Sequence, residues 1–154
     1  MIDEVSLKIL KILQKKARIP NVEVARQVGM APSAVLERIR KLEKQGFIDG
    51  YEVRLNPKRF AKSLVAFVSV KLKKLDAEIK VGQALSKLPE VQEVHYVAGE
   101  DAFLVKVRAA DTEALSRLIR DKIAAIAGVH STQTAIVLST YKETARIPIE
   151  IVSA

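Results

Sequence analysis

The 154-residue chain has no cysteine, no tryptophan, two histidines, six glycines and five prolines. Without cysteine there is no disulfide framework and no thiolate chemistry. The two histidines, His95 and His130, stand in no H-x-x-x-H pattern, and C-x-x-C and nucleophile-elbow patterns are missing too. The chain is therefore thinly supplied for metal-assisted or covalent catalysis, and no catalytic or metal-ligating residue is assigned. Long apolar runs are also absent, none approaching the roughly 20 residues a membrane-spanning helix needs. The opening Met1-Ile2-Asp3-Glu4 is acidic where a secretory leader is basic, so a cytoplasmic protein is expected. What remains is 49% apolar residues, enough for one ordinary domain or two small ones with their own cores.

Basic charge is plentiful and unevenly spread. Residues 1–60 hold 13 Lys and Arg against 7 Asp and Glu, whereas residues 61–154 hold 13 against 11. A surplus concentrated in the first part points to a polyanion partner there. In that part Val5, Leu7, Ile9, Leu10, Ile12 and Leu13 approximate one helical face, with Asp3 as N-cap and an end before Pro20. Asn21 is placed to cap a shorter helix, in which Val22, Ala25 and Val28 face inward and Gly29 provides the stop. Pro32 opens a third helix that runs to Gly46.

Two helices across the tight Gly29-Met30-Ala31 turn are a helix-turn-helix signature. Val35, Ile39 and Leu42 are spaced by four and three, which leaves the opposite face of the third helix free. That face carries Ser33, Ala34, Glu37, Arg38, Lys41 and Lys44, with Arg40 at its margin. Small residues lead and cations follow, as in a helix whose first turns meet base edges and whose later turns meet phosphates. Ser33, Ala34 and Glu37 are accordingly assigned to bases, Arg40, Lys41 and Lys44 to phosphates, and Arg38 to either.

Phe47 to Pro57 reads as a turn and a short strand, and a boundary falls near residue 60. Beyond it the pattern repeats. A strand at 64–72, a helix from an Asp76 cap to Pro89 and a strand at 91–98 are followed by a strand at 103–107, a helix from an Asp111 cap to Gly128 and a strand at 129–141. This βαββαβ order implies an α+β fold, with a ferredoxin-like antiparallel sheet and both helices on one face. Three parts are expected: a helix-turn-helix domain over 1–60, the βαββαβ domain over 61–141 and a tail over 142–154. The strands are apolar on both sides, Val65 and Phe67 opposing Leu64, Ala66 and Val68, and Leu104 opposing Phe103 and Val105. A sheet bare on one side would alternate, so Val65, Phe67 and Leu104 are expected to form a homodimer contact. The alternative cover is the tail itself, where Ile147-Pro148-Ile149-Glu150-Ile151 has the composition to pair along an edge.

The whole pattern resembles the leucine-responsive/asparagine-synthesis (Lrp/AsnC) regulator family. The resemblance rests on Asp3 with Leu7-Lys8-Ile9-Leu10, on Ala31-Pro32-Ser33-Ala34-Val35, on Arg38-Ile39-Arg40-Lys41-Leu42-Glu43, on Gly46-Phe47-Ile48-Asp49-Gly50-Tyr51, on Val97-Ala98-Gly99 and on Gly128-Val129 with Thr132 and Thr134. It implies a transcription regulator with a winged-helix-like DNA-binding domain and a RAM-type C-terminal domain that dimerises, often assembles into tetramers or octamers, and binds an amino acid between dimers. It places the effector at Gly99, Glu100, Asp101 and Ala102 with Thr132 and Thr134. There Glu100 or Asp101 can accept from the ammonium group, while the Gly99 to Ala102 backbone and a threonine donate to the carboxylate. No other cofactor is implied. The sequence departs from the family twice, with Ala31 where a capping serine is usual and Ala102 where an aspartate is usual. Two other classes share the outline: a tetrapyrrole decarboxylase and an architectural DNA-compacting protein.

Overall fold

The computed structural model describes residues 2–99 and 103–150. The chain divides into two compact units, one reaching Arg54 and including the chain from Glu143 on, the other spanning Leu55–Lys142.

In the first unit, helix α1 (Glu4–Lys15) begins where Asp3 accepts a 2.7 Å hydrogen bond from the Ser6 backbone N–H. Helix α2 (Asn21–Val28) has no such cap, because Pro20 occupies the cap position and Asn21 is already helical. This corrects the expected role of Asn21. Gly29 ends α2 at φ 71° and ψ 38°, a left-handed turn that a residue with a Cβ adopts only at a cost. Helix α3 (Pro32–Lys44) follows with Ala31 extended before it and no side-chain cap, so the missing serine is not replaced. Ile9, Val24, Ala25, Val35, Ile39 and Leu42 form the buried core of the three helices. The tail returns to this unit: Gln14 Nε2 donates to the Ile147 carbonyl at 3.1 Å, and the Ile147 N–H donates to Gln14 Oε1 at 2.8 Å. The described part of the tail thus docks on the end of α1 instead of along a sheet edge.

The second unit is a four-stranded antiparallel sheet of β1 (Leu64–Leu72), β2 (Val91–Tyr96), β3 (Phe103–Ala109) and β4 (Val129–Ile136), in the order β2-β3-β1-β4. Helices α4 (Glu78–Ser86) and α5 (Thr112–Arg117) lie between the strands in sequence. Val81 and Leu85 of α4 and Leu115, Leu118 and Ile123 share one core with Ala66, Val68 and Val70 of β1 and Phe103, Val105 and Val107 of β3.

Four local expectations need correction. Asp76 lies inside a 3-10 turn (Leu75–Ala77), and Ala77, not Asp76, stands before α4. The helix that Asp111 does cap, accepting from Ala114 N–H at 2.7 Å, converts after Arg117 to a π-helical stretch, Leu118–Ile123, in which Ala124 N–H reaches back to the Ile119 carbonyl. The last strand ends at Ile136, not 141. Tyr51 to Asn56 pairs with no strand among the described residues, although Tyr51, Val53 and Leu55 alternate as a strand would and all stand exposed.

Candidate nucleic-acid interface and effector residues

Burial of Val35, Ile39 and Leu42 fixes the rotation of α3 and turns Ser33, Glu37, Arg40, Lys41 and Lys44 outward, all exposed. Ala34 is half-buried beside them. Arg40, Lys41 and Lys44 have no ion-pair partner among the described residues, so the exposed face keeps three uncommitted cations. Arg38 is different. It is half-buried, and its guanidinium donates to Asp3 Oδ2 at 2.5 Å and to Ser6 Oγ at 3.1 Å. Those two bonds join the recognition-helix candidate to the first turn of α1. The Arg38 bond, aided by the Ser6 N–H, holds the Asp3 carboxyl down to about 2. Sequence periodicity placed Arg38 on the free face but carried no sign of a partner 35 residues away.

The second acidic residue of α3, Glu43, is also engaged from a distance. It accepts a 2.8 Å bond from the Tyr51 hydroxyl. Burial first, then the Glu43 carboxylate, pushes the Tyr51 phenol up to about 12. The linker following α3 is thereby tied to the rear of that helix.

In the second unit the strands present opposite faces alternately. Val65, Phe67 and Ser69 of β1 share the uncovered face with Leu104, Lys106 and Arg108 of β3, their register partners. Of the three residues expected to form a dimer contact, Val65 is only 7% exposed. Arg108, opposite it, bonds to Gln92 Oε1 and the Lys62 carbonyl. Phe67 is half-buried and Leu104 exposed, so these two carry the accessible apolar surface. The face is not purely apolar: Lys106, 8% exposed, donates to Glu93 Oε1 at 3.1 Å, and His95 Nε2 lies 3.3 Å from Glu93 Oε2. Burial acts to raise the Glu93 carboxyl, but the bonds to Lys106 and His95 outweigh it and the net displacement is downward. This polar row was not identified from sequence, because bulged pairing between Val91 and Glu93 sets which β2 residues share the face with Lys106.

The effector candidates divide. Gly99, at φ 133° with open space where a Cβ would stand, lies in the turn after β2, whereas Glu100, Asp101 and Ala102 lie outside the described residues. Thr132 and Thr134 are half-buried on β4, opposite Val70 and Val68. Since β2 and β4 are the two edges of the sheet, β3 and β1 separate the Gly99 turn from the threonines. Three inter-strand spacings, about 14 Å, separate the β2 edge from β4. His130 is exposed at the start of β4, and no group of three or more His, Cys, Asp or Glu among the described residues has the arrangement to hold a metal ion. No helix among them is long and apolar enough to cross a membrane.

Comparison with known proteins matches both units. Residues 2–49 fit a family described as winged helix-turn-helix DNA-binding, and residues 65–147 fit the Lrp/AsnC ligand binding domain. The leucine-responsive regulatory protein of Escherichia coli is 38% identical over 151 residues, covering 97% of this chain and 92% of its own. A transcriptional regulator from Neisseria meningitidis, solved with L-Met, superposes with a TM-score of 0.91 at 32% identity over 96% of this chain and 97% of its own. A feast or famine regulatory protein from M. tuberculosis, complexed with L-methionine, gives 0.89 at 30% identity over 97% and 100%.

Proposed function

The chain belongs to the Lrp/AsnC family of transcription regulators, and from that premise we propose that it binds double-stranded DNA through Ser33, Ala34, Glu37, Arg40, Lys41 and Lys44, as a homodimer or larger homo-oligomer, under the control of a small amino acid. The observation that carries the DNA contact is the exposed face of α3: three unpaired cations stand there behind a tight turn, on a helix whose opposite side is buried in the core. Later-turn cations meet phosphates while the first two turns approach base edges. Arg38 is removed from the phosphate set, since Asp3 and Ser6 already occupy its guanidinium.

The amino acid is assigned to a site made by two chains, with the Gly99 turn of one approaching the Thr132 to Thr134 stretch of another. The separation of these groups across the sheet supports that assignment, and the methionine complexes of the two structural relatives make L-methionine the first ligand to try. A homodimer contact centred on Phe67 and Leu104 would bring a second sheet onto the uncovered face. Family membership favours regulation over tetrapyrrole decarboxylation and over non-specific DNA compaction, and the protein would act in the cytoplasm, beside the DNA.

The test is the salt dependence of DNA binding. Each lost phosphate contact lowers the slope of log K against log salt by roughly 0.9, so Arg40→Ala combined with Lys41→Ala is expected to lower it by about two for each recognition helix on the DNA, about four for a homodimer, and to weaken all duplexes alike. An unchanged slope would reject α3 as the DNA-facing helix.

A further inference from the structure

A face that only gripped phosphates would have no use for Glu37. The carboxylate is exposed, one turn after Ser33 and just before Arg40 and Lys41. Elsewhere the chain pairs helix carboxylates at the same spacings: Glu4 with Lys8 at 2.6 Å, Glu23 with Arg26 at 2.7 Å, Glu113 with Arg117 at 2.5 Å. On α3 itself Glu43 is taken by Tyr51. Glu37, with Arg40 at i+3 and Lys41 at i+4, makes no ion pair or hydrogen bond among the described residues.

We propose that Glu37 reads cytosine, its carboxylate accepting a hydrogen bond from the exocyclic amine in the major groove; the proposal rests on α3 being the recognition helix. An ionised carboxylate is acceptor-only, so phosphates repel it and only a donor holds it. The major groove offers two, the N4 amine of cytosine and the N6 amine of adenine. Beside adenine N6 stands the N7 acceptor, which meets the second carboxylate oxygen with like charge. Beside cytosine N4 on the same base stands only a C–H. The position also suits the role, because Glu37 lies in the second turn of α3, within the part of a recognition helix that reaches base edges. Arg40 and Lys41, next along the same face, supply the phosphate attraction that offsets the carboxylate's own repulsion from the backbone.

The experiment selects duplexes from a randomised pool with the full-length parent, Glu37→Gln and Glu37→Ala, then measures affinity for the selected site with the key cytosine replaced by 2-pyrimidinone, which lacks the amine. The parent is expected to enrich cytosine at one position of each half-site. Glu37→Gln should move that preference to adenine, whose N6 and N7 a carboxamide bonds together, and Glu37→Ala should abolish it. Loss of the amine should cost the parent about tenfold in affinity and Glu37→Ala almost nothing. If the parent selects a sequence but Glu37→Gln selects the same base, or if both proteins lose equally on 2-pyrimidinone, the cytosine reading is overturned while the recognition helix stands. If the parent selects no sequence at all, the helix assignment falls and takes the proposal with it. Glu37 is exposed, so unchanged melting temperatures are expected for both variants.

Discussion

Arg38 shows how a cation that helical periodicity places on the free face of α3 is claimed by its own protein. Asp3 both caps α1 and binds Arg38, and these bonds hold its carboxyl near 2. A carboxyl whose pKa is lower in the folded than in the unfolded state contributes stability that is full above the unfolded value, near 3.9, and lost as pH falls through about 2. The side chain is 54% exposed, so solvent screens the pair and the contribution is small, confined to acid conditions. Neutral pH leaves the clamp closed, and its consequence there is the orientation of α3. Asp3→Asn keeps a capping side chain and removes the charge that holds Arg38. DNA affinity is expected to fall with an unchanged salt slope, and acid unfolding to lose part of its pH dependence between pH 4 and pH 2. A slope that rises by about one for each recognition helix on the DNA would mean that a released Arg38 reaches a phosphate, and would restore it to the DNA-contacting set.

At the scale of elements, what the sequence made legible were features encoded within a few residues. Asp3 and Asp111 cap as read, Gly29 turns left-handed, Pro32 opens α3, and the βαββαβ order yields the β2-β3-β1-β4 sheet. Features that depend on distant partners were not legible. Asn21 and Asp76 have capping chemistry, but α2 starts one residue early, with Pro20 in the cap position and Asn21 already helical, while a 3-10 turn moves the start of α4 past Asp76. The apolar spacing of Leu115, Leu118, Ile119 and Ile123 fits a regular helix, and nothing in it marks the π-helical stretch from which Leu118 and Ile123 enter the sheet core. The alternation of Tyr51, Val53 and Leu55 is that of a strand, yet a strand needs a neighbour and the described chain supplies none. Gly128 illustrates the same dependence in a form that can be measured. It closes the turn into β4 at φ 101°, and a Cβ there would stand 2.9 Å from the Ala77 Cβ and 3.1 Å from Val81 Cγ2. Both the left-handed backbone and the close approach of α4 exclude a side chain. Gly128→Ala is expected to destabilise the second unit by roughly 1–3 kcal/mol, read as a lowered thermal midpoint. A midpoint equal to the parent's would show that the turn relaxes freely.

For the whole molecule, assembly and ligand response become one question, because the candidate effector groups sit on opposite edges of one sheet. On the proposed two-chain site, a second chain brings its Gly99 turn to the half-buried threonines of β4. A ligand that bridges two chains binds the assembled state better than the separate one, and this difference is what lets it shift the assembly; equal affinity would shift nothing. In the proposed homodimer the uncovered face would supply the driving force at roughly 25 cal/mol per Å² of apolar surface buried, with Phe67 and Leu104 as its accessible part. Such a contact would bury the Lys106–Glu93–His95 row with its bonds intact, since a charge left unpaired there is costly. Phe67→Glu places a new carboxylate in that contact while touching no buried core position. The variant is expected to fold, to run as a monomer by light scattering, and to give no heat in calorimetry with L-methionine or any of the other nineteen amino acids, where the parent does. A monomeric Phe67→Glu that still binds the same amino acid would place the site within one chain. A variant that stays fully assembled and binds normally would move the subunit contact away from this face.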